Sequence, residues 1–539
     1  MHETGAAVVV GPSGEWARRG RAIGGDKPKV RLIGPVVFRI GLGRDGAHDV
    51  GDPAAVGGKG GRLALFQSEQ SGGDDRSGAA ARRTGSNARR QATSRQSGER
   101  RRIFIVRRGG FVSNPWPMTN RFYTAFDSES LGEARKGDYR TPFQMDRDRI
   151  IHAHAFRKLQ SKTQVFLSGE YDFYRTRLTH SMEVAQIGRS ICVFLRSRGA
   201  PMRDDFHIDN DLVEAVCLAH DLGHPPFGHS GERTLQELML KWGGFEGNAQ
   251  TLHLLTETMY QNETGVRGMV PTRALLDGVL KYKKLFREFP SPPTKHFLYD
   301  PQERHREFVF GEVKIPAALH GGEKLNGFKS VECQIMDWAD DAAYSLNDIV
   351  DGVKAGFLTV ERIEAWAAGE PMDAERQRWL DQLCVAIRGD RLENAFAQKV
   401  GGFITACRLR ERENFMSAKT NRYRFELVIA PGAEREAAFY KKMANDVIFE
   451  SPQLQQMEHK ARRVLFQLWE SCWRNYVEKG DRVINILPPR VGRLLDAETT
   501  PAGKARQICD WLAGLTDGMI VRTYQRLFDP QFGSIRDLS

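Results

Sequence analysis

Apolar residues recur at helical spacing through most of the chain that follows Met118. Three segments show this most clearly: THSMEVAQIGRSICVF, DLVEAVCLAHD, and the stretch from Val331 to Lys354. Their stripes consist of His180, Val184, Ile187 and Ile191; of Val213, Val216, Cys217 and His220; and of Ile335, Ala339, Ala342, Leu346 and Ile349. Strand-like alternation is nearly absent, so the pattern predicts an all-α body.

The length of 539 residues allows two or more domain-sized units. We predict a disordered tail over residues 1–117, a helical core over residues 118–355 and a second helical block over residues 356–539. The stretch from about 285 to 330 contains FPSPPTKHF and LHGGEKLNGF, which favour an irregular loop or insertion.

The net charge of +11 belongs to the tail, where 21 Lys and Arg face 10 Asp and Glu, while the remainder holds 58 of each sign. The tail is too polar and too rich in glycine to form a core. Its GLGRDG is a weak match to a dinucleotide-binding loop, because no helix can follow it. Its arginines could contact nucleic acid or acidic lipid, but we favour a solvated tail, or an extension upstream of a true start at Met118.

The seven cysteines are scattered and form no C-x-x-C pair. This usage is typical of reduced thiols, and we expect a cytoplasmic protein. No apolar run is long enough to cross a bilayer, so no membrane partner is expected.

The segment AHDLGHPPFGHSGE, Ala219 to Glu232, holds three of the 14 histidines of the chain. Its His220 is the last member of one apolar stripe and Asp221 comes directly after it. His180 lies on a second stripe, and Asp340 lies beside the third. Two imidazoles and two carboxylates suit a divalent cation that keeps positions open for water and substrate. A lone core histidine or surface acid would be unremarkable, but the joint pattern predicts a metal centre.

These residues resemble a known family. The pattern H…HD…D is similar to that of the HD-domain metal-dependent phosphohydrolases. Within them, RDRIIHAHAFRKLQSKTQV, YRTRLTHSMEVAQIGRSI, AHDLGHPPFGHSGE, GFEGNAQ, VLKY and ADDAAYSLNDI resemble the deoxynucleoside triphosphate triphosphohydrolases, or dGTPase-like proteins. The resemblance is strong over about residues 120–360 and thinner to the end of the chain.

The resemblance implies a metal held by His180, His220, Asp221 and Asp340. It also implies hydrolysis of a dNTP at the α-phosphorus, which releases a deoxynucleoside and tripolyphosphate. The metal would be Mg²⁺ or Mn²⁺. Fe²⁺ and Zn²⁺ are alternatives, because mixed nitrogen and oxygen ligands accept Mn²⁺, Fe²⁺ and Zn²⁺ more readily than Mg²⁺. The sequence does not identify the preferred dNTP.

The same resemblance suggests roles for eight further residues. His229 and Glu232 would form an acid–base pair, and His224 would donate to an α-phosphate oxygen or to the leaving group. Tyr344 would stack beneath the sugar and exclude a 2′-hydroxyl, and Asp348 would accept from the 3′-hydroxyl. Arg177 would bind phosphate and Gln164 would contact the sugar. Lys281 could bind phosphate or could instead be an exposed structural lysine.

Two other readings stay open. The chain could be another HD phosphohydrolase, acting on nucleoside monophosphates, cyclic nucleotides or an alarmone. It could instead be a nucleotide- or nucleic-acid-binding regulator with an inactive HD site, although all four ligand positions are intact and the body has no net charge. The family likeness also implies a homo-oligomer with a dNTP or single-stranded DNA effector.

Overall fold

The computed structural model describes residues 7–10, 16–19, 120–132, 137–165, 175–262, 265–311, 313–478 and 484–533. The chain divides into two compact units, Met1–Phe104 and Ile105–Ser539. In the first unit, β1 (Ala7–Val10) pairs antiparallel with β2 (Trp16–Arg19). Apart from these strands, residues 1–119 lie outside the described residues. The predictions made for this segment, a disordered tail and a GLGRDG motif that binds no dinucleotide, therefore also fall outside the described residues.

The second unit is built from helices, which confirms the all-α prediction. The helices are α1 (Ala125–Ser128), α2 (Pro142–His152), α3 (His154–Lys158), α4 (Arg177–Ser197), α5 (Asn210–Ala219), α6 (Gly228–Met239), α7 (Gly247–His253), α8 (Arg273–Val279), α9 (Glu303–Phe310), α10 (Val331–Lys354), α11 (Val360–Ala367), α12 (Ala374–Arg388), α13 (Leu392–Thr405), α14 (Pro431–Ala444), α15 (Pro452–Trp473), α16 (Pro489–Ala497), α17 (Pro501–Ala513) and α18 (Asp517–Phe528). No helix in the described ranges is long and apolar enough to cross a membrane.

Two short antiparallel hairpins interrupt the helices of this unit. One joins β3 (Tyr260–Asn262) to β4 (Gly265–Arg267), and the other joins β5 (Cys407–Glu411) to β6 (Phe425–Ile429), with Cys407 opposite Ile429. The stretch from 285 to 330, predicted to be irregular, contains α9. This helix has only eight residues and ends at Gly311, whose φ of 61° is in the left-handed region that glycine favours. Two turns of helix give too little periodicity to detect in a sequence.

The helices that carry the candidate site begin at well-defined caps. The Thr176 side chain accepts a hydrogen bond from the Thr179 amide at the start of α4, and Asp209 accepts from two amides at the start of α5. Ser330 accepts from the Cys333 amide at the start of α10. Each cap satisfies amides that have no partner within the helix, at about 1 kcal/mol apiece, and so fixes where the helix begins.

The main core lies where α4, α5 and α10 pack together. All members of the three predicted stripes are buried, which confirms the assignment of those helical faces. The helices α4 and α5 approach closely because Gly188 has no side chain; a Cβ atom there would lie 2.8 Å from Cys217 Sγ. The same core continues through α11 to α14, and a second core joins α6 to α15, α17 and α18. All seven cysteines are free and buried.

A fully buried ionic cluster ties the β5–β6 hairpin to the helices. Arg422, between the two strands, donates to Asp277 of α8 at 2.8 Å and to Glu332 of α10 at 3.2 Å. Its guanidinium also lies 3.8 Å from Asp127 of α1, and Tyr423 donates to Asp277. The cluster therefore joins segments that are far apart in the chain.

Candidate active site

Two imidazoles and two carboxylates meet where α4, α5 and α10 converge. His180 lies in the first turns of α4, His220 and Asp221 follow the end of α5, and Asp340 lies in the middle of α10. One ligand atom from each of His180, His220 and Asp221 lies within 4.8 Å of the others. Asp340 Oδ1 is 3.1 Å from His180 Nε2 and 3.7 Å from His220 Nε2. The structure thus brings together all four side chains that the sequence singled out.

The orientation of His220 indicates what the cluster can bind. Its Nδ1 donates to the Cys217 carbonyl at 2.6 Å, and its buried Nε2 has no hydrogen-bond partner. In the neutral tautomer that this bond selects, the Nε2 lone pair lies 3.3 Å from Asp221 Oδ1 and 3.7 Å from Asp340 Oδ1. A lone pair beside two carboxylates is repulsive unless a positive charge lies among them, and either a proton on Nε2 or a metal ion supplies it. Two imidazoles and two carboxylates are a donor set that fits a divalent metal ion.

The charges around the two carboxylates keep them ionised. Burial by itself opposes ionisation of Asp340, but the positive charge of His220 when its ring is protonated, the hydrogen bond from His180 and the Lys281 ammonium hold the pKa of this carboxyl well below its usual range. Burial likewise opposes ionisation of Asp221, and its neighbouring imidazoles and Arg177 lower the pKa of that carboxyl. Both groups can therefore act as anionic ligands at neutral pH.

Arg177 and Lys281, predicted to bind phosphate, each contact a member of the cluster. Arg177 Nη1 donates to Asp221 Oδ2 at 2.7 Å and its Nε donates to the Thr163 carbonyl, while its buried Nη2 has no partner. Lys281 Nζ lies 2.9 Å from Asp337 Oδ1 and 3.6 Å from Asp340 Oδ2. Both side chains place positive charge beside the carboxylates, so in this structure each of them stabilises the cluster electrostatically.

A second cluster lies beside the first and consists of His224, His229 and Glu232. His229 Nδ1 is 3.2 Å from Glu232 Oε2, and the Gly247 amide donates to Glu232 Oε1 at 2.7 Å. Burial opposes ionisation of Glu232, yet the hydrogen bond from His229 and the nearby imidazoles lower the pKa of this carboxyl to about 2. His224 Nδ1 lies 3.0 Å from Asp221 Oδ1 and so connects the two clusters.

Two glycines allow this loop to fold so tightly. A Cβ atom at Gly223 would lie 2.2 Å from the Gly247 carbonyl oxygen, and one at Gly231 would lie 1.9 Å from the Pro226 carbonyl oxygen. Neither backbone oxygen can move aside without breaking the packing of the loop on α6 and α7. Only glycine is compatible with both approaches.

Tyr344 and Asp348 follow Asp340 along one face of α10, as their spacing predicts. The Tyr344 ring lies nearly parallel to that of Phe449, with centroids 6.2 Å apart. Burial raises the pKa of the Asp348 carboxyl to about 8, and its Oδ2 has no hydrogen-bond partner. Gln164 also presents a buried Oε1 without a partner.

The sequence reasoning missed three residues beside these. Phe449 supports the Tyr344 ring, and Asp337 holds both Lys281 and Lys329, whose Nζ lies 2.5 Å from Asp337 Oδ2. Asp337 could have been found from the sequence, because it precedes Asp340 by three residues and so lies next to it on the same helical face. Phe449 and Lys329 could not be found in this way, because Phe449 is distant in the chain from Tyr344 and Lys329 lies before α10, outside its helical periodicity.

Comparison with known proteins agrees with this geometry. Residues 177–264 match the HD domain, and residues 427–526 match the phosphohydrolase-associated domain. A deoxyguanosinetriphosphate triphosphohydrolase-like protein of Shewanella pealeana is 32% identical over 453 residues, which cover 77% of this chain and 98% of that protein. A protein of the same description from Shewanella loihica is 33% identical over 446 residues, covering 76% and 98%.

A relative from another genus has a similar identity and coverage. Deoxyguanosinetriphosphate triphosphohydrolase-like protein 2 of Deinococcus radiodurans is 33% identical over 433 residues, which cover 75% of this chain and 96% of that protein. In each case nearly the whole relative is matched. The chain therefore belongs to the family of dGTP triphosphohydrolase-like HD phosphohydrolases.

Proposed function

We propose that the protein hydrolyses deoxynucleoside triphosphates in a metal-dependent reaction, with water attacking the α-phosphorus. The bond from the α-phosphorus to the 5′-oxygen breaks, giving a deoxynucleoside and tripolyphosphate. The observation that carries the proposal is the unpartnered Nε2 of His220 beside the Asp221 and Asp340 carboxylates. The names of the relatives support the choice of substrate class.

His180, His220, Asp221 and Asp340 would hold the divalent ion. Mg²⁺ or Mn²⁺ would serve, and the two imidazoles also accept Fe²⁺ or Zn²⁺. The bound ion would withdraw charge from a phosphoryl oxygen and lower the pKa of a nearby water. Arg177 orients Asp221 through its 2.7 Å hydrogen bond, and Lys281 places positive charge beside Asp340, where the substrate phosphates would approach.

His229 and Glu232 are suited to proton transfer. The bond from His229 Nδ1 to an ionised Glu232 leaves Nε2 for the substrate, and the His229 side chain is 57% exposed. His224 is buried beside Asp221 and would donate to an α-phosphate oxygen or to the leaving 5′-oxygen. Tyr344 would pack beneath the deoxyribose, Asp348 would accept from its 3′-hydroxyl, and Gln164 would contact the same sugar.

The family likeness also supports a cytoplasmic homo-oligomer with a dNTP or single-stranded DNA effector. These parts of the proposal depend on the resemblance alone and are separable from the chemistry of the HD centre.

The experiment that tests the proposed reaction is product analysis. The purified protein is incubated with Mg²⁺ or Mn²⁺ and each dNTP, and the phosphate products are separated by anion exchange. We expect tripolyphosphate and a deoxynucleoside. Orthophosphate released from nucleoside monophosphates would instead indicate another HD phosphohydrolase, and tight nucleotide binding without turnover would indicate a regulator.

Replacing Tyr344 by alanine is expected to lower the preference for dNTPs over ribonucleotides by about tenfold. Removal of the ring would leave room for a 2′-hydroxyl, and a discrimination of this kind is worth about 1–3 kcal/mol. The measurement is the ratio of kcat/KM for a dNTP to that for the matching ribonucleotide. Tyr139→Ala is the control, because Tyr139 is 81% exposed. An unchanged ratio in the Tyr344 variant would refute the assigned role.

Replacing His229 by alanine is expected to lower kcat by about 100-fold, because a positioned acid–base group contributes at least that much. Metal content should be unchanged, since His229 does not belong to the four-residue cluster. Glu232→Gln keeps the size of the side chain but removes its charge, so its kcat should fall in the same direction. Full turnover in the His229 variant would mean that another group moves the proton.

A further inference from the structure

The turn between α17 and α18 contacts the HD loop, residues 220–229, which carries His224 and His229. This α17–α18 turn, residues 513–517, lies within the phosphohydrolase-associated domain, whereas the loop lies within the HD domain. Its Asp517 is 3% exposed. Burial of a carboxylate is unfavourable unless its oxygens accept hydrogen bonds, so the partners of Asp517 indicate what this residue does.

Asp517 is the first residue of α18, but it is not the residue that caps this helix. Thr516 accepts a hydrogen bond from the Met519 amide at 3.3 Å and so provides the cap. Both oxygens of the Asp517 carboxylate instead accept from other parts of the chain. Oδ1 accepts from the Phe227 amide at 3.0 Å, and Oδ2 accepts from the Thr163 amide at 2.8 Å and from the hydroxyl of the same residue. One carboxylate therefore connects two segments that are far apart in the chain.

The first of these contacts holds a strained turn. Phe227 has a φ of 64°, in the left-handed region that a bulky residue rarely adopts, and Gly228 follows with a φ of 56°. The Phe227 ring is buried in the core that joins α6 to α15, α17 and α18, and the hydrogen bond to Asp517 fixes the backbone of the same residue. Since α6 begins at Gly228, this turn decides where the helix that carries His229 and Glu232 begins.

The second contact leads to the metal cluster. The Thr163 carbonyl accepts from Arg177 Nε at 3.0 Å, and Arg177 Nη1 donates to Asp221 Oδ2 at 2.7 Å. The guanidinium also packs against the strained turn, because a Cβ atom at Gly228 would lie 3.0 Å from Arg177 Nη2. Asp517 thus joins the turn that precedes α6 to the arginine that orients a proposed metal ligand.

A buried lysine makes a second connection between the α17–α18 turn and the HD loop. Lys162 Nζ donates to the Ala513 carbonyl at 2.9 Å and to the His224 carbonyl. Ala513 is the last residue of α17, so the turn is connected to the loop at both of its ends. The phosphohydrolase-associated domain therefore holds the backbone of the HD loop at two points, His224 and Phe227.

We propose that Asp517 is a positioning residue for the HD centre: it fixes the turn at Phe227 and thereby the position of His229 relative to the metal cluster. In the described part of the chain, its carboxylate forms hydrogen bonds with none of the proposed metal ligands. The inference rests on the proposed function, in which His229 moves a proton. Displacement of a reacting group by about 1 Å can lower a rate by about 100-fold, so a carboxylate outside the site can control turnover.

The first test is kinetic and uses Asp517→Asn in the full chain. This change keeps the size of the side chain but replaces one acceptor oxygen by a donor, so Phe227 and Thr163 cannot both keep their acceptor. We expect kcat for dNTP hydrolysis to fall by at least about tenfold, with KM within about twofold. In a His229→Ala background the same change should cost less than about threefold more, because the group that it positions is already absent. A residue that only stabilises the fold would lower kcat by the same factor in both backgrounds or not at all.

The matched control is Asp510→Asn in the same domain. Asp510 of α17 accepts from Gln250 at 3.0 Å and lies 2.9 Å from His253 Nε2, so it also joins the two domains but contacts α7 instead of the HD loop. We expect its kcat to stay within about twofold of that of the unaltered protein, even where thermal unfolding shows a loss of stability similar to that of Asp517→Asn.

Should Asp517→Asn fail to fold, a milder pair of variants tests the same contact. Thr163→Val removes the hydroxyl that donates to Asp517 and keeps the shape of the side chain, and we expect kcat to fall by about threefold or more. Thr163→Ser restores the hydroxyl and should recover most of that loss. Equal turnover of the two variants would overturn the proposal.

Amide hydrogen exchange, followed by mass spectrometry, tests the positioning without substrate. Peptides that cover residues 159–165 and 222–236 contain the two segments that Asp517 holds. At least one of them should exchange about tenfold faster or more in Asp517→Asn, and both should exchange at the original rate in Asp510→Asn.

Unchanged exchange of both peptides in Asp517→Asn would overturn the proposal. Unchanged kcat in this variant would also overturn it, and so would losses that multiply fully with that of His229→Ala. Absence of tripolyphosphate release by the unaltered protein would refute the proposed reaction instead, and the exchange measurement would still decide whether Asp517 holds the HD loop in place.

Discussion

Replacing His220 by alanine is expected to abolish both metal retention and turnover. The imidazole is the one side chain of the cluster whose buried Nε2 has no partner and lies between the Asp221 and Asp340 carboxylates. Without this imidazole both ionised carboxylates remain, but the metal ion that compensates their charge has lost one of its four ligands. Loss of the ion removes several kcal/mol of transition-state stabilisation, so turnover should fall by more than about 1,000-fold.

Metal content per chain is measured by elemental analysis after gel filtration, and turnover is measured by release of tripolyphosphate. Asp340→Ala should give the same pair of losses, because Asp340 Oδ1 lies within 3.7 Å of both imidazoles. His459→Ala is the matched control, since His459 is exposed on α15 and far along the chain from the cluster. Retention of metal and activity in either cluster variant would remove the proposed metal centre.

Replacing Arg422 by methionine should be the most destabilising single change outside the site. The side chain is fully buried and compensates Asp277, Glu332 and Asp127, which are also fully buried. Methionine fills similar space but removes the cation that faces Glu332 and Asp127, and it leaves Asp277 with only the Lys283 ammonium, 3.5 Å away. Removal of one partner from a buried ionic group typically costs about 3–5 kcal/mol of the free energy of unfolding.

The matched control is Arg410→Met in the same hairpin. Arg410 pairs with Glu426, but its side chain is 66% exposed, so the expected loss is below about 1 kcal/mol. Thermal and urea unfolding of the three proteins, followed by circular dichroism, compares their midpoints under identical conditions. Equal midpoints for the two variants would show that the Arg422 cluster contributes no more than a surface ion pair.

The sequence alone could predict which helical faces are buried. A stripe such as Val213, Val216 and Cys217 can be read without knowing its partner, because each apolar side chain leaves water whichever helix covers it. The four proposed ligands were found in the same way: three lie on or directly after buried stripes, where an ionisable side chain requires an explanation. Tyr344 and Asp348 followed from their spacing after Asp340 on one helix.

Contacts between distant segments could not be predicted. Arg177 was expected on phosphate, but in the structure it donates to Asp221, 44 residues away. Lys281 balances Asp340 and Asp337 from the loop that follows α8, and Arg422 reaches Asp277 across 145 residues. Such pairs have no periodicity in the sequence, because their partners are set by how helices cross and not by position within a helix.

The chain's own pattern determined an all-helical body and the identity of the residues that converge on its HD centre, since helical periodicity and residue chemistry are local properties. Only the tertiary structure decided the tautomer of His220, the partner of each buried charge and the β5–β6 hairpin. These depend on distances between segments, and electrostatic and hydrogen-bond energies change steeply over a few ångströms.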